Sequence, residues 1–321
     1  MTQTRLLTNL RFPLIVLVVL IHVYASLNSA IAIEGFIIIP LLKWISLVLA
    51  RAAVPLFFVI SGYFFFYGVE KFDKSCYFGK LKRRLYSLLI PYLAWNTIFL
   101  LLYAIKGADV GIRDYWDANS GEPICYPFWF IRDLMIVCIF TPVVYWLVKK
   151  IKYLAFILLL PVWFLNGGGI FESFTFFIAG ATMSILHIDI NIPQRHAAII
   201  AVLSIVLSMI ATYLNLSNHY ILYTVVLVLM VGIYSIMSCL PRSFNMPQVL
   251  TNSTLYTLGL STLIIMVLVT LLKKYAVISS LALFTSYIVI ALCSVGISVI
   301  IYLLISRLPF SFILTGKTTI K

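Results

Sequence analysis

The stretch RFPLIVLVVLIHVYASLNSA, Arg11 to Ala30, is an almost unbroken apolar run with an arginine at its start and a histidine in its middle. A helix of this length crosses the roughly 30 Å hydrocarbon core of a bilayer. The histidine is the anomaly, because a simple anchor gains nothing from an ionisable group at that depth. From Arg11 to His22 is about 16 Å along a helix and about 20° past three full turns. The two side chains therefore share one face, the arginine at the membrane boundary and the histidine near the midplane. Ser26 and Ser29 continue that face.

The rest of the chain has the same character. Its 321 residues are 63% hydrophobic and 10% charged, with a mean hydropathy of +1.10. Soluble domains are about half apolar and a quarter charged, so this is an all-α polytopic membrane protein. About ten transmembrane helices are expected, at 12–31, 44–67, 85–105, 128–148, 152–165, 170–187, 197–214, 220–240, 251–272 and 279–305. The longest polar insertion runs only from Lys106 to Pro127, so no separate soluble domain is expected and 1–321 is read as a single transmembrane domain. The net charge of +13 does not point to nucleic acid, because the basic residues cluster in short loops between apolar runs. An inner N-terminus puts most of the 23 Lys and Arg residues on the inner side and most of the 10 acidic ones outside. Both termini are then cytoplasmic. A secretory signal ending at AIA (Ala30–Ala32) is the alternative for the first run, and the histidine fits a retained helix better.

Five cysteines without CxxC spacing do not suggest a disulfide framework. No HExxH, GxSxG or His/Cys cluster is present, and no metal is expected. TGKTT near the C-terminus lacks the first P-loop glycine, with Ser311 in its place, and NGGG (Asn166–Gly169) lacks phosphate-loop spacing.

Four segments can carry chemistry. The first holds Arg11 and His22. His22 is read either as a neutral histidine satisfied within the bundle or as a general base, since imidazole takes a proton near neutral pH. The second is KLKRRLYSLLIPY, where Lys80, Lys82, Arg83 and Arg84 suit either a topology signal or a polyanionic ligand. The third is RAAVPLFFVISGYFF, with Arg51 near the outer end of its span and Ser61-Gly62 permitting close helix approach. The fourth is PFWFIRDL, where Trp129 precedes Arg132 and Asp133. These two charges are expected to neutralise partners on other helices, Asp133 with Arg51 being one possibility. Glu172 is a further candidate buried acid. The loop KGADVGIRDYWDANSGEPICYP mixes Tyr115 and Trp116 with Asp114, Asp117 and Asn119, a composition shared by sugar-binding surfaces and membrane-interface loops.

In this order the four segments resemble the integral-membrane acyltransferase 3 family. Arg11 and His22 match its arginine–ten residues–histidine signature. FFVISGYFF, KLKRRLYSLLIPY and PFWFIRDL are similar to its second-span, basic-loop and fourth-span motifs. The late-span histidine of many members is absent from NSTLYTLGLSTLIIM (Asn252–Met266). The resemblance implies a membrane-bound O-acyltransferase of the bacterial cytoplasmic membrane. It implies transfer of an acyl group, usually acetyl, from cytoplasmic acyl-CoA to a hydroxyl of a cell-envelope polysaccharide or glycolipid. His22 is then base or transient acyl carrier, and Arg11 steers the donor or polarises its carbonyl. Lys80, Lys82, Arg83 and Arg84 hold the CoA phosphates, with Arg51, Ser61, Trp129, Arg132, Asp133 and Glu172 in support. The rival expectation is a transporter or exporter of a glycan or small solute.

Overall fold

The computed structural model describes residues 2–31, 35–117, 122–214, 218–274 and 279–317; Ala32, Asn119 and Lys321 lie outside them. The regular elements among the described residues are all helical. Seven helices there are long and apolar enough to cross a membrane. These are α1 (Gln3–Ala30), α2 (Ile39–Phe66), α3 (Lys74–Ile105), α8 (Gln194–Tyr213), α9 (His219–Ser238), α10 (Gln248–Leu272) and α11 (Ser280–Ile305). Between α3 and α8 come α4 (Trp129–Ile139), α5 (Thr141–Ile151), α6 (Leu154–Asn166) and α7 (Ile170–Ile185); α12 (Phe312–Thr315) closes the chain.

The ten expected spans map onto these elements with differences. The fourth is a pair, α4 and α5, bent by 65°. Pro142 at the start of α5 has no N–H to donate, and its ring crowds the carbonyl one turn back. The fifth and sixth, α6 and α7, have 13 and 16 residues, or about 20 and 24 Å, less than the hydrocarbon thickness. NGGG is the turn between them. Gly167 caps α6 and Gly169 opens α7, both at positive φ (81° and 72°), a conformation a side chain disfavours.

The chain divides into two compact units. One comprises Met1–Phe57 and Asp189–Val299, the other Phe58–Ile188 and Ile300–Lys321.

In the first unit α1 and α10 run side by side in the same direction. Asn9, fully buried, donates to the carbonyl of Phe244 and accepts from the amide of Met246, just before α10 begins. Arg5 donates to the carbonyl of Arg242. Further along, Val19, Val23 and Leu27 share an apolar cluster with Ile265 and Val269 of α10 and Leu283, Tyr287 and Ile290 of α11. These tertiary contacts extend α1 to Gln3, well before the expected start at 12. Arg11 consequently lies within the helix and not at its mouth. The first part of α2 is irregular, with a π-helical stretch at Trp44–Leu49 followed by a 3₁₀ turn at Ala50–Ala52.

In the second unit, α2 and α7 are in backbone contact through two glycines. A Cβ on Gly62 would lie 2.0 Å from the carbonyl oxygen of Phe177, and one on Gly180 1.9 Å from that of Val59. α3 is capped by Asp73, whose carboxylate accepts from the amide of Cys76. α12 docks on it through Trp95, which donates to the carbonyl of Leu314.

Candidate functional site

Arg11, His22 and Arg51 belong to the first unit; Ser61, the basic run, Trp129, Arg132, Asp133 and Glu172 belong to the second. On α1 the buried side chains Leu14, Ile15, Val18, Val19 and Val23 form the packed stripe. Arg11 and His22, about 20° apart around the axis, fall within the same sector of the helix as that stripe, both half-buried.

The backbone of α1 beside His22 is held from α2. Ser46 donates to the carbonyl of Leu20, two residues before the histidine, at 3.3 Å. Its oxygen lies 2.7 Å from the Tyr287 hydroxyl, and both residues are fully buried. Ser46 sits in the π-helical stretch, a local geometry frequent at functional sites. Neither Ser46 nor Tyr287 stands out in the sequence, where each is one hydroxyl in an apolar helix. Arg51 falls in the 3₁₀ turn that follows and is exposed.

The basic run at the start of α3 divides between two faces of the helix. Lys80 and Arg84, four residues apart, are half-buried, whereas Lys82 and Arg83 are exposed. Lys80 donates to the carbonyl of Phe65 at 2.7 Å, with its ammonium 5.7 Å from the centre of that residue's ring. One pair of cations is thus built into the fold, and the other faces outward.

The far end of α3 carries a second polar assembly. Tyr92 donates to the carbonyl of Tyr115, and Thr97 and Tyr115 join hydroxyls at 2.7 Å. Asn96 accepts from the amide of Cys125 at 3.0 Å. Tyr92 and Asn96, four residues apart, share one face of the helix, and with the neighbouring Thr97 they pin the polar loop. From α4, Arg132 donates to the carbonyl of Trp116 and lies 5.4 Å from its ring centre. Its Nε pairs with Asp133 at 3.0 Å.

Arg132 and Asp133 therefore neutralise each other, a correction to the expectation of separate partners on other helices. They lie in the first turns of α4, where the arginine side chain turns back toward the loop carbonyl and remains within reach of its neighbour. Asp133, almost fully buried, is also 3.5 Å from the Ser173 hydroxyl of α7. Glu172 lies in the first turn of α7, where a carboxylate complements the helix dipole, and accepts from the Trp163 indole at 3.1 Å. Ser61 and Trp129 are half-buried.

A residue not singled out in the sequence joins this end. Glu122 of the polar loop has a buried Oε2 without a hydrogen-bond partner among the described residues. Burial raises its carboxyl above the ordinary value of 4.5; Arg132 pulls it down and Asp133 pushes it up. Its lone position between glycine and proline carries no periodicity that would have marked it. Among the described residues no group of three His, Cys, Asp or Glu side chains converges as a metal site would require.

The profile of the acyltransferase 3 family, described as an acyltransferase domain, matches residues 6–303. The chain is also similar to the succinoglycan biosynthesis protein ExoH of Rhizobium meliloti (strain 1021), with 30% identity over 185 residues. That alignment covers 50% of this chain and 49% of that protein, about half of each. No solved structure matches.

Proposed function

Since the chain belongs to the acyltransferase 3 family, we propose that it transfers an acetyl group from cytoplasmic acetyl-CoA to a hydroxyl of a cell-envelope polysaccharide or glycolipid. The observation that supports this reading is that Arg11 and His22 lie on one face of a single helix, α1, at the spacing of the family signature. The similarity to a succinoglycan biosynthesis protein supports a polysaccharide acceptor. The setting is the bacterial cytoplasmic membrane, with 1–321 acting as one transmembrane acyltransferase domain.

In this reading His22 takes the proton of the acceptor hydroxyl as its oxygen attacks the thioester carbonyl. The carbon–sulfur bond breaks, and the proton passes to the departing CoA thiolate. Arg11 steadies the charge that develops on the carbonyl oxygen. Alternatively, the imidazole itself carries the acyl group between donor and acceptor. Lys82 and Arg83, with Arg84 and Lys80 behind them, supply positive charge for the CoA phosphates. Arg51, Ser61, Trp129, Arg132, Asp133 and Glu172 support the helices that present these groups.

The test is acyl transfer by purified protein in lipid nanodiscs, using acetyl-CoA and envelope glycan. His22→Ala is expected to abolish transfer while leaving the thermal transition unchanged, and full transfer by that variant would overturn the proposal. Solute movement by the wild type without acetyl-CoA would favour the transporter reading instead.

A further inference from the structure

α3 is longer than a membrane is thick. Its 32 residues extend about 48 Å, whereas about 20 residues cross the hydrocarbon, and the apolar stretch from Leu85 to Ile105 supplies those. The turns from Lys74 to Arg84 therefore stand outside the hydrocarbon, as their charges require. Phe78 lies about 10 Å further along the axis than Leu85. It is nevertheless 62% exposed.

Beside it is Gly79, a poor helix former in a helix interior. No packing requirement explains it, because a Cβ there would meet nothing within 4 Å. Phe78, Gly79, Lys82 and Arg83 stand at i, i+1, i+4 and i+5, and so form the corners of one surface patch. Lys82 and Arg83 are exposed. Arg83 donates from Nε to the carbonyl of Gly79 at 3.3 Å, which holds the guanidinium beside the bare backbone. Lys80 is bonded to Phe65 and does not contribute to the patch.

We propose that this patch seats the nucleotide end of the acyl donor, the purine lying over Gly79 against the Phe78 ring and the ribose-linked phosphates on Lys82 and Arg83. A flat base needs a ring to stack on and no side chain in its way. Its phosphates need cations about one helical turn away, of the type that binds phosphate oxygens through several N–H donors. A lipid headgroup shares the phosphate and can also meet an aromatic ring, but it has no use for the notch. The assignment rests on acyl-CoA being the donor, and names which of the four cations meet it.

Gly79→Leu fills the notch with a better helix former, so loss of folding does not confuse the result. In nanodiscs it is expected to raise the KM for acetyl-CoA at least tenfold with kcat unchanged. Phe78→Ala is expected to do the same, and both should leave the KM for S-acetylpantetheine, which lacks the nucleotide, where it was. Direct binding of adenosine 3′,5′-bisphosphate should be lost in Gly79→Leu. Unchanged KM for acetyl-CoA in both variants, while the wild type transfers from it, overturns this assignment and leaves the donor reading intact. Loss of nucleotide binding in Gly79→Leu without transfer from acetyl-CoA by the wild type supports the patch and overturns the donor reading. Weakened binding of vesicles rich in anionic lipid by Gly79→Leu, with nucleotide binding untouched, makes the patch a headgroup contact and also overturns the proposal.

Discussion

Ser46 and Tyr287 meet hydroxyl to hydroxyl at 2.7 Å in a fully buried position, and Ser46 passes its own proton on to the carbonyl of Leu20. The chain of donors runs from α11 through the irregular part of α2 to the helix that carries His22. Removing one member has unequal consequences. Ser46→Ala strands the tyrosine hydroxyl in an apolar cluster and should cost about 1–3 kcal/mol, whereas Tyr287→Phe deletes only a donor and should cost about 0.5–1.5 kcal/mol. The double variant should cost less than the two added together, because the stranded group is then gone. Thermal unfolding in detergent measures all three, and strict additivity would show that the hydroxyls do not act as a pair.

The glycines between α2 and α7 make a second prediction. A methyl at Gly62 or Gly180 would lie about 2 Å from a backbone carbonyl oxygen of the facing helix, and a backbone cannot swing aside as a side chain can. Gly62→Ala and Gly180→Ala should each lose at least about 1–3 kcal/mol. The pair should lose less than the sum, since one separation of the helices relieves both. Unfolding midpoints of the purified variants check this, and an unshifted midpoint for either would contradict the close approach.

Substitutions along the basic run should separate according to face. Lys80→Met leaves the carbonyl of Phe65 without its ammonium donor and should lower the unfolding midpoint. Lys82→Met and Arg83→Gln remove exposed charges and should shift stability by less than about 0.5 kcal/mol. If the outward pair serves the donor, their effect appears as a raised KM for acetyl-CoA. Equal destabilisation by all three would mean that the run is structural throughout.

The pH response of the polar loop follows from Glu122. Burial raises its carboxyl in the folded loop above the ordinary 4.5, so the folded state holds this proton more tightly than the unfolded chain does. The loop is then most stable below about pH 4.5 and weakens as pH rises through the raised value. Hydrogen exchange over residues 109–117 should therefore accelerate across that interval. Glu122→Gln, which cannot ionise, should be protected at neutral pH and show a flatter profile. A wild-type loop that instead becomes better protected with rising pH would reverse the assigned sign.

The first helix and its polar face were legible because both depend on distances along the chain alone. An apolar run of sufficient length, with Arg11 and His22 eleven residues apart, leaves a helix little choice about which side the two share. The same holds for the all-helical class, since a chain this apolar can satisfy its backbone in lipid only internally. The start of α1 at Gln3 was not legible, because it depends on Asn9 finding the carbonyl of Phe244 and the amide of Met246, partners more than two hundred residues away. The extents of α6 and α7, by contrast, were legible, since the runs 152–165 and 170–187, separated by NGGG, match Leu154–Asn166 and Ile170–Ile185 to within two residues at each end.

By itself, then, the sequence determined the membrane class, the family signature and the register of Arg11 with His22, because each is set by local period and composition. Tertiary structure alone decided that Arg132 pairs with Asp133, that Lys80 is bound inward while Lys82 and Arg83 face out, and that Ser46 and Tyr287 meet beside Leu20. A charge or hydroxyl in an apolar run must find a partner, and the chain does not reveal which until the helices have packed.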